Sequence, residues 1–294
     1  EHIAMVKYML TEDTRKFEDR TLHRIMALDD FNDVKSGDLG GWVESESNLS
    51  QWGTCWVYDE AIVCDDAKIK EDAVIRNNAR IMHNAVVCDN AAVSGSALVG
   101  DYACIFGNAS VFGQARVFNN ASLFDDVRVF ENSHVYGHAQ IGGETEIFGN
   151  AVVAGNTNAN ECVKIFGDAR VIGNIEVYEN VKIYEKASVR GDLELFGNAE
   201  IKGNALIDGI AYISGDAIIS QNGDYTTVSR FGWNNATITF FRMKDGKIGV
   251  CDGAFSGTLE ELRQDLLGTS LKTKQGGEYL LLASLMEYTF ALNN

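Results

Sequence analysis

Proline is absent from this 294-residue chain, and histidine is scarce, with five. Without proline there is no proline-rich linker to separate domains, and continuous strands joined by tight turns become the natural reading. The six cysteines (Cys55, Cys64, Cys88, Cys104, Cys162 and Cys251) form no CxxC pair and no regular framework. Reduced thiols in a cytoplasm are therefore expected. No apolar run reaches the ~20 residues of a membrane span, and no basic-then-apolar signal segment opens the chain. Positive charge is short: the net charge is −17, which argues against an anionic membrane or direct nucleic-acid binding. The motifs GxSxG and HExxH do not occur.

What the chain has instead is a period of six. Cut from Val43 to Asn222, its 180 residues give 30 hexads with no insertion or deletion. The first place is Ala in 19 of them, and the third, from Val57 to Ile219, is Ile, Val or Leu in 27 of 28. The sixth is Asn or Asp in 20 of 30. A short fixed period dictates a repeat architecture. Places one and three lie two residues apart and so share one side of a strand, which puts small and branched residues inward and the residue between them outward. The Gly/Asn/Asp residues at places five and six supply the left-handed backbone of a corner. Three hexads make an 18-residue triangular coil, and ten coils at strand spacing predict a prism about 48 Å long.

Three regions follow. Residues 1–42 form an N-terminal cap containing a strand at 21–28, and Trp42, Trp52 and Trp56 are expected to plug the open end of the first coil. Residues 43–222 form the repeat. Residues 223–294 form an α+β module: a hairpin at 236–251 with an Asp-Gly turn, a capping box Thr258-Leu-Glu-Glu261 opening a helix that stops near Gly268, and a second apolar helix from Gly277 to Leu292. Its helices are expected to cover the last coil or to pair with the same module in other chains.

The hexad, with Ile75-Arg-Asn-Asn-Ala79 as an example, resembles the left-handed parallel β-helix of the hexapeptide-repeat proteins. That resemblance, not the period, implies the handedness. At the N-terminal end, Arg24-Ile-Met-Ala-Leu28, Gly40-Gly-Trp-Val43 and Cys55-Trp-Val-Tyr-Asp59 resemble the YdcK group of bacterial hexapeptide proteins, which is labelled transferase. At the other end, Thr237-Ile-Thr-Phe-Phe-Arg-Met-Lys-Asp-Gly246 and Phe255-Ser-Gly-Thr-Leu-Glu-Glu261 resemble the ends of β-helix proteins from phages and prophages of Gram-positive bacteria.

One departure from the family has a geometry. The place after the aliphatic residue, often Gly in the family, is frequently Phe or Tyr here. Residues 18 apart stack on one edge, which gives the column Phe112, Phe130, Phe148, Phe166 and Tyr184. Such stacking stabilises neighbouring rungs, but a stripe this long and regular on one edge is read as a candidate interface with other subunits, predicting a homotrimer.

Hexapeptide acyltransferases use a histidine between subunits, with acyl-CoA lying along the helix. Within the repeat only His83, His134 and His138 are available, and no loop leaves a coil to wall a cleft. His134 and His138, in the hexad Ser133-His-Val-Tyr-Gly-His138, are the candidates for general-base catalysis or for a metal shared between copies, and as surface residues they need neither role. His2 precedes the repeat and His23 lies in the cap. No metal or cofactor is expected, acetyl-CoA entering only with the acyltransferase alternative.

The leading expectation is a non-enzymatic rigid scaffold or binding protein, phage- or prophage-encoded, engaging a host or phage macromolecule with a protein as partner. The alternatives are a hexapeptide-class acyltransferase and an acidic DNA mimic that inhibits a nucleic-acid enzyme, the repeat holding 12 Lys/Arg against 25 Asp/Glu.

Overall fold

A computed structural model describes residues 6–232, 235–269 and 273–292. The chain divides into two compact units, Glu1–Asn150 and Ala151–Asn294. Both contain parallel coils of 18 residues, about ten in all, and the second also carries the C-terminal module. The fold is thus the β-solenoid that the period predicts, as in the left-handed hexapeptide β-helix.

In the first unit each hexad from Cys55 onward contributes a two-residue strand, and these strands pair in parallel at a spacing of 18 residues: Ile62 with Arg80, Leu98 with Arg116, Cys104 with Ser122, Ala92 with Ser110. The first and third places are buried as the spacing requires, from Ala61 and Val63 through to Ala139 and Ile141. Small alanine at place one lets three walls approach closely, and the branched residue at place three fills the axis.

The corners follow a rule that the sequence showed only in part. The left-handed backbone sits at place five alone, where φ is 54° at Asp59, 58° at Asn77 and 68° at Gly113. Where place five is Asp, Asn or His, its side chain does a second job. It accepts the backbone N–H of the place-five residue one coil later: Asp59 from Asn77 (2.8 Å), Asp65 from His83 (2.9 Å), Asp89 from Gly107 (2.8 Å), Asp101 from Asn119 (3.0 Å). The amide of Asp101 donates to Nδ1 of His83 at 3.0 Å, so His83 stands in for Asp or Asn as a corner acceptor. Place six instead carries side-chain ladders, such as Asn108 to Asp126 at 2.9 Å. A sizeable part of the acidic composition is thereby committed to joining coils.

The N-terminal cap is an antiparallel arrangement of Tyr8–Phe17, Arg20–Ala27 and Leu39–Val43, the last of which passes into the coil by pairing Trp42 with Ile62. The strand at 21–28 is present, while its partner Tyr8–Phe17 had no alternation strong enough to reveal it. Trp42 and Trp56 are buried, but Trp52 is 78% exposed and plugs nothing. The end of the coil is closed instead by Tyr8 and Leu49, both buried, with Tyr8 Oη donating to Leu49 O at 2.7 Å. The Gln51 side chain joins the Tyr8 strand to the coil, accepting from Lys7 N at 2.9 Å. Trp52 occupies place four of its hexad, which faces outward.

In the second unit the coils lead into a four-stranded antiparallel sheet of Tyr225–Phe231, Ala236–Arg242, Ile248–Cys251 and Ser256–Thr258. The predicted hairpin forms its centre, with Gly246 at φ +82° in the turn. The capping box is formed on both sides: Thr258 N donates to Glu261 Oε2 (2.8 Å) and Glu261 N to Thr258 Oγ1 (3.1 Å). It opens helix α1, Leu259–Thr269; helix α2 runs Lys274–Leu292, beginning one turn earlier than its apolar run suggested. Sheet alternation divides the hairpin. Ile238 and Phe240 pack with Leu262, Leu282 and Met286 of the helices, while Thr239 turns to the coil and accepts from Tyr212 N at 2.8 Å. Strand 236–242, rather than the helices, therefore covers the last coil, aided by Lys244 Nζ donating to Asn198 O at 3.0 Å.

Candidate functional site: a basic groove on one wall of the coil

On one wall of the first unit the strands Arg80–Ile81, Leu98–Val99, Arg116–Val117 and His134–Val135 lie in parallel register. Their second-place residues face outward and stack as the column Arg80, Leu98, Arg116, His134. Beside them runs the sixth-place column Asn78, Ser96, Gln114, Asn132. The two columns line a groove of about 720 Å³ with no carboxylate among its lining residues.

The electrostatics of this groove set it apart from the rest of an acidic chain. Other arginines of the unit are paired: Arg20 with Asp65 at 2.6 Å, Arg24 with Glu60 at 2.7 Å, Arg128 with Glu146 at 3.1 Å. Among the described residues Arg80 and Arg116 have no carboxylate partner. The Arg80 guanidinium is held over the Phe17 ring at 5.2 Å, a cation–π contact that leaves its donors free. His134 is half-buried. Burial, and then the Arg116 charge, push its pKa below the usual imidazole value, so it is neutral at pH 7. Neither of its ring nitrogens has a hydrogen-bond partner among the described residues.

These side chains can donate to oxyanion groups from two guanidinia set two coils apart, with carboxamide N–H groups and one imidazole as further hydrogen-bonding partners. They do not make an acid–base relay, because no carboxylate orients His134. His138 is exposed at the corner that ends its hexad and does not line the groove. His83 serves its corner, and His23 Nδ1 lies 3.4 Å from Thr11 O in the cap. His2 lies outside the described residues. All six cysteines are free thiols.

The aromatic column is also present. Phe112 stacks on Phe130 at 4.8 Å between centroids, and Phe130 on Phe148 at 4.9 Å, each nearly parallel. In the second unit Phe166 stacks on Tyr184 at 4.9 Å. That spacing is the rung spacing of a parallel sheet, so the rings fit face to face without strain. Each of the five residues is half-buried, and Arg128 lies over both Phe112 and Phe130, at 5.4 and 5.2 Å. Burial and the bond to Glu200 push the Tyr184 hydroxyl up to about 12. A second groove of about 740 Å³ lies beside Trp52, lined among others by Lys68, Lys70, Glu71 and Asp72. There both signs of charge are present.

The period alone places each second-place residue outward and does not single out Arg80 and Arg116 as a pair. The signal was available in the 18-residue register: no other stretch of four successive coils sets two arginines and a histidine beside a sixth-place column without an acid.

The fold defines the class, a hexapeptide-repeat β-solenoid. Over 64 residues the chain is 47% identical to a protein of Escherichia coli (strain K12) that bears the name uncharacterized acetyltransferase YdcK. The match takes in 19% of this chain and only 20% of that relative. No protein-family model matches the chain. Among the described residues no helix is long and apolar enough to cross a membrane.

Proposed function

We propose that the chain is a rigid, non-catalytic binding protein that engages a macromolecular partner by holding its carboxylate or phosphate groups in the Arg80–Arg116–His134 groove. The observation that carries this reading is the pair of guanidinia without carboxylate partners in a groove free of acids, on a chain of net charge −17. Arg80 and Arg116 are exposed, and on a chain so rich in carboxylates two exposed guanidinia with no acid beside them leave their donors open to an anion from outside. The coils supply rigidity, since the strands that carry Leu98 and Arg116 pair with a strand on each side. The resemblance of the ends to phage and prophage β-helix proteins supports a host or phage macromolecule as partner.

The test is calorimetric titration of the full chain with inorganic phosphate and, separately, with a tetra-aspartate peptide. Binding of either that weakens with salt and is lost in the Arg80→Ala/Arg116→Ala double variant is expected. Equal binding by wild type and variant, or no binding of either probe, overturns the reading.

A second reading is an acetyltransferase, favoured by the name of the partial relative and by the unpartnered His134 in the same groove. It requires acetyl-CoA to bind and to be turned over with an amine or hydroxyl acceptor. Binding that persists in His134→Ala, with no acetyl transfer to any of a panel of acceptors, would remove it.

A further inference from the structure

Helix α2 is apolar on two sides. Its inward side, with Tyr279, Leu282, Ala283, Met286 and Phe290, belongs to the core of the C-terminal module. On the other side Leu281 is 74%, Leu285 54%, Tyr288 65% and Leu292 66% exposed. These four are spaced four, three and four residues apart, which places them on one narrow stripe of the helix. That is the a/d spacing of a coiled-coil seam, sustained over two heptads.

We propose that this stripe is the docking surface for α2 of a second copy of the chain, the two helices packing about a two-fold axis. Three observations select that occupant. The seam is complementary to itself, because an a/d stripe packs best against another a/d stripe, and a two-fold interface presents the same patch from both sides. Between Tyr279 and Leu292 the only charged residue is Glu287, and it is bonded to Arg263 of α1, which also donates to Ser284 Oγ at 3.2 Å. The seam therefore offers no charge by which a foreign charged helix would be chosen. Full covering of these four exposed side chains on two copies removes on the order of 1,000 Å² from water, above a typical crystal contact and about the area at which a biological interface begins.

This locates self-association on α2 rather than on the aromatic residues of the coil edge, where Phe112, Phe130 and Phe148 stack on one another in the first unit and Phe166 on Tyr184 in the second. The experiment is light scattering on the full chain at micromolar concentration, where the expected mass is twice 32.2 kDa. Leu281→Lys/Leu285→Lys should halve the mass with unchanged circular dichroism, and Phe130→Ser/Phe148→Ser should leave it at two chains. As a second measurement that keeps the native seam largely intact, Tyr288→Cys should give a covalent dimer on mild oxidation. A wild type of one chain or of any number other than two overturns the proposal. So does a mass unchanged in the lysine variant, or a dimer dissolved by the phenylalanine changes alone.

Discussion

The coils and the second helix of the C-terminal module solve the same problem differently. In the coils each apolar residue at places one and three has an inward position fixed by the period, and a like neighbour 18 residues away. Ala103 and Ile105 are fully buried, and the outward Cys104 between them is not. In α2 apolar residues outnumber the inward positions. Leu282 and Met286 find a core, whereas Leu281 and Leu285, one residue before each, find none among the described residues. Place in the hexad therefore reports burial in the coil, whereas hydrophobicity in the helix reports only a demand for burial.

The sharpest way to break that contrast is to truncate one residue of each kind. Ile105→Ala should cost about 2–5 kcal/mol, because the closely packed axis cannot collapse onto the cavity. Leu285→Ala should stay within about 0.5 kcal/mol under conditions where the chain is monomeric. Urea denaturation of both variants measures the difference, and equal losses would erase the distinction.

Next in size is the corner. Asp101 combines a left-handed backbone, φ 54°, with two accepted bonds from Asn119, from its N at 3.0 Å and its Nδ2 at 2.8 Å. Asp101→Leu should cost about 1–2 kcal/mol, losing an acceptor and placing a branched side chain where the backbone disfavours it. Asp101→Asn keeps the amide bond and should be close to neutral. A leucine as benign as the asparagine in the same urea series would show that neither the bond to the next coil nor the left-handed backbone selects the corner residue.

How much of this could be read in advance depends on the range of the interaction. Strand, inward face and corner were legible because they recur at six residues, and the hairpin and capping box because Asp245-Gly246 and Thr258-Glu261 are local. The closure of the first coil was not legible: Tyr8 bonds to Leu49, 41 residues away, with no period to connect them. Tryptophan content suggested Trp52 as a plug, but its place-four register outweighs its size. The aromatic column was found by stepping 18 residues along place four. The basic groove needs the same step along places two and six together, so it surfaces only when two columns are compared.

The groove extends the comparison from packing to charge. In the corners acids face backbone N–H groups, while in the groove guanidinia face open space. Arg116→Ala should weaken phosphate or tetra-aspartate binding about tenfold, roughly 1.4 kcal/mol, in calorimetric titration. Arg128→Ala, which breaks an existing pair with Glu146 outside the groove, should leave that binding unchanged. Equal effects of the two substitutions would mean that total charge, not the groove, attracts the anion.

The smallest effect is a pH dependence. His134 is neutral in the free protein because burial, and then Arg116, hold its pKa below the usual value near 6.5. The groups facing it in the groove are cationic or neutral, so only a bound anion can favour its proton. Without a ligand the folded chain binds fewer protons here than the unfolded chain does. This site alone therefore makes stability fall as pH drops below about 6.5, with the full loss reached below the lowered folded pKa. With an oxyanion in place the imidazolium gains a partner, its pKa rises, and uptake of the proton strengthens binding. Affinity for tetra-aspartate should accordingly rise a few-fold between about pH 7.5 and 5.5, a window in which its carboxylates stay ionised. His134→Gln should flatten the profile while keeping Arg116-dependent binding. A slope of the same sign and size in His134→Gln would assign the proton to another group and leave His134 a bystander on the groove wall.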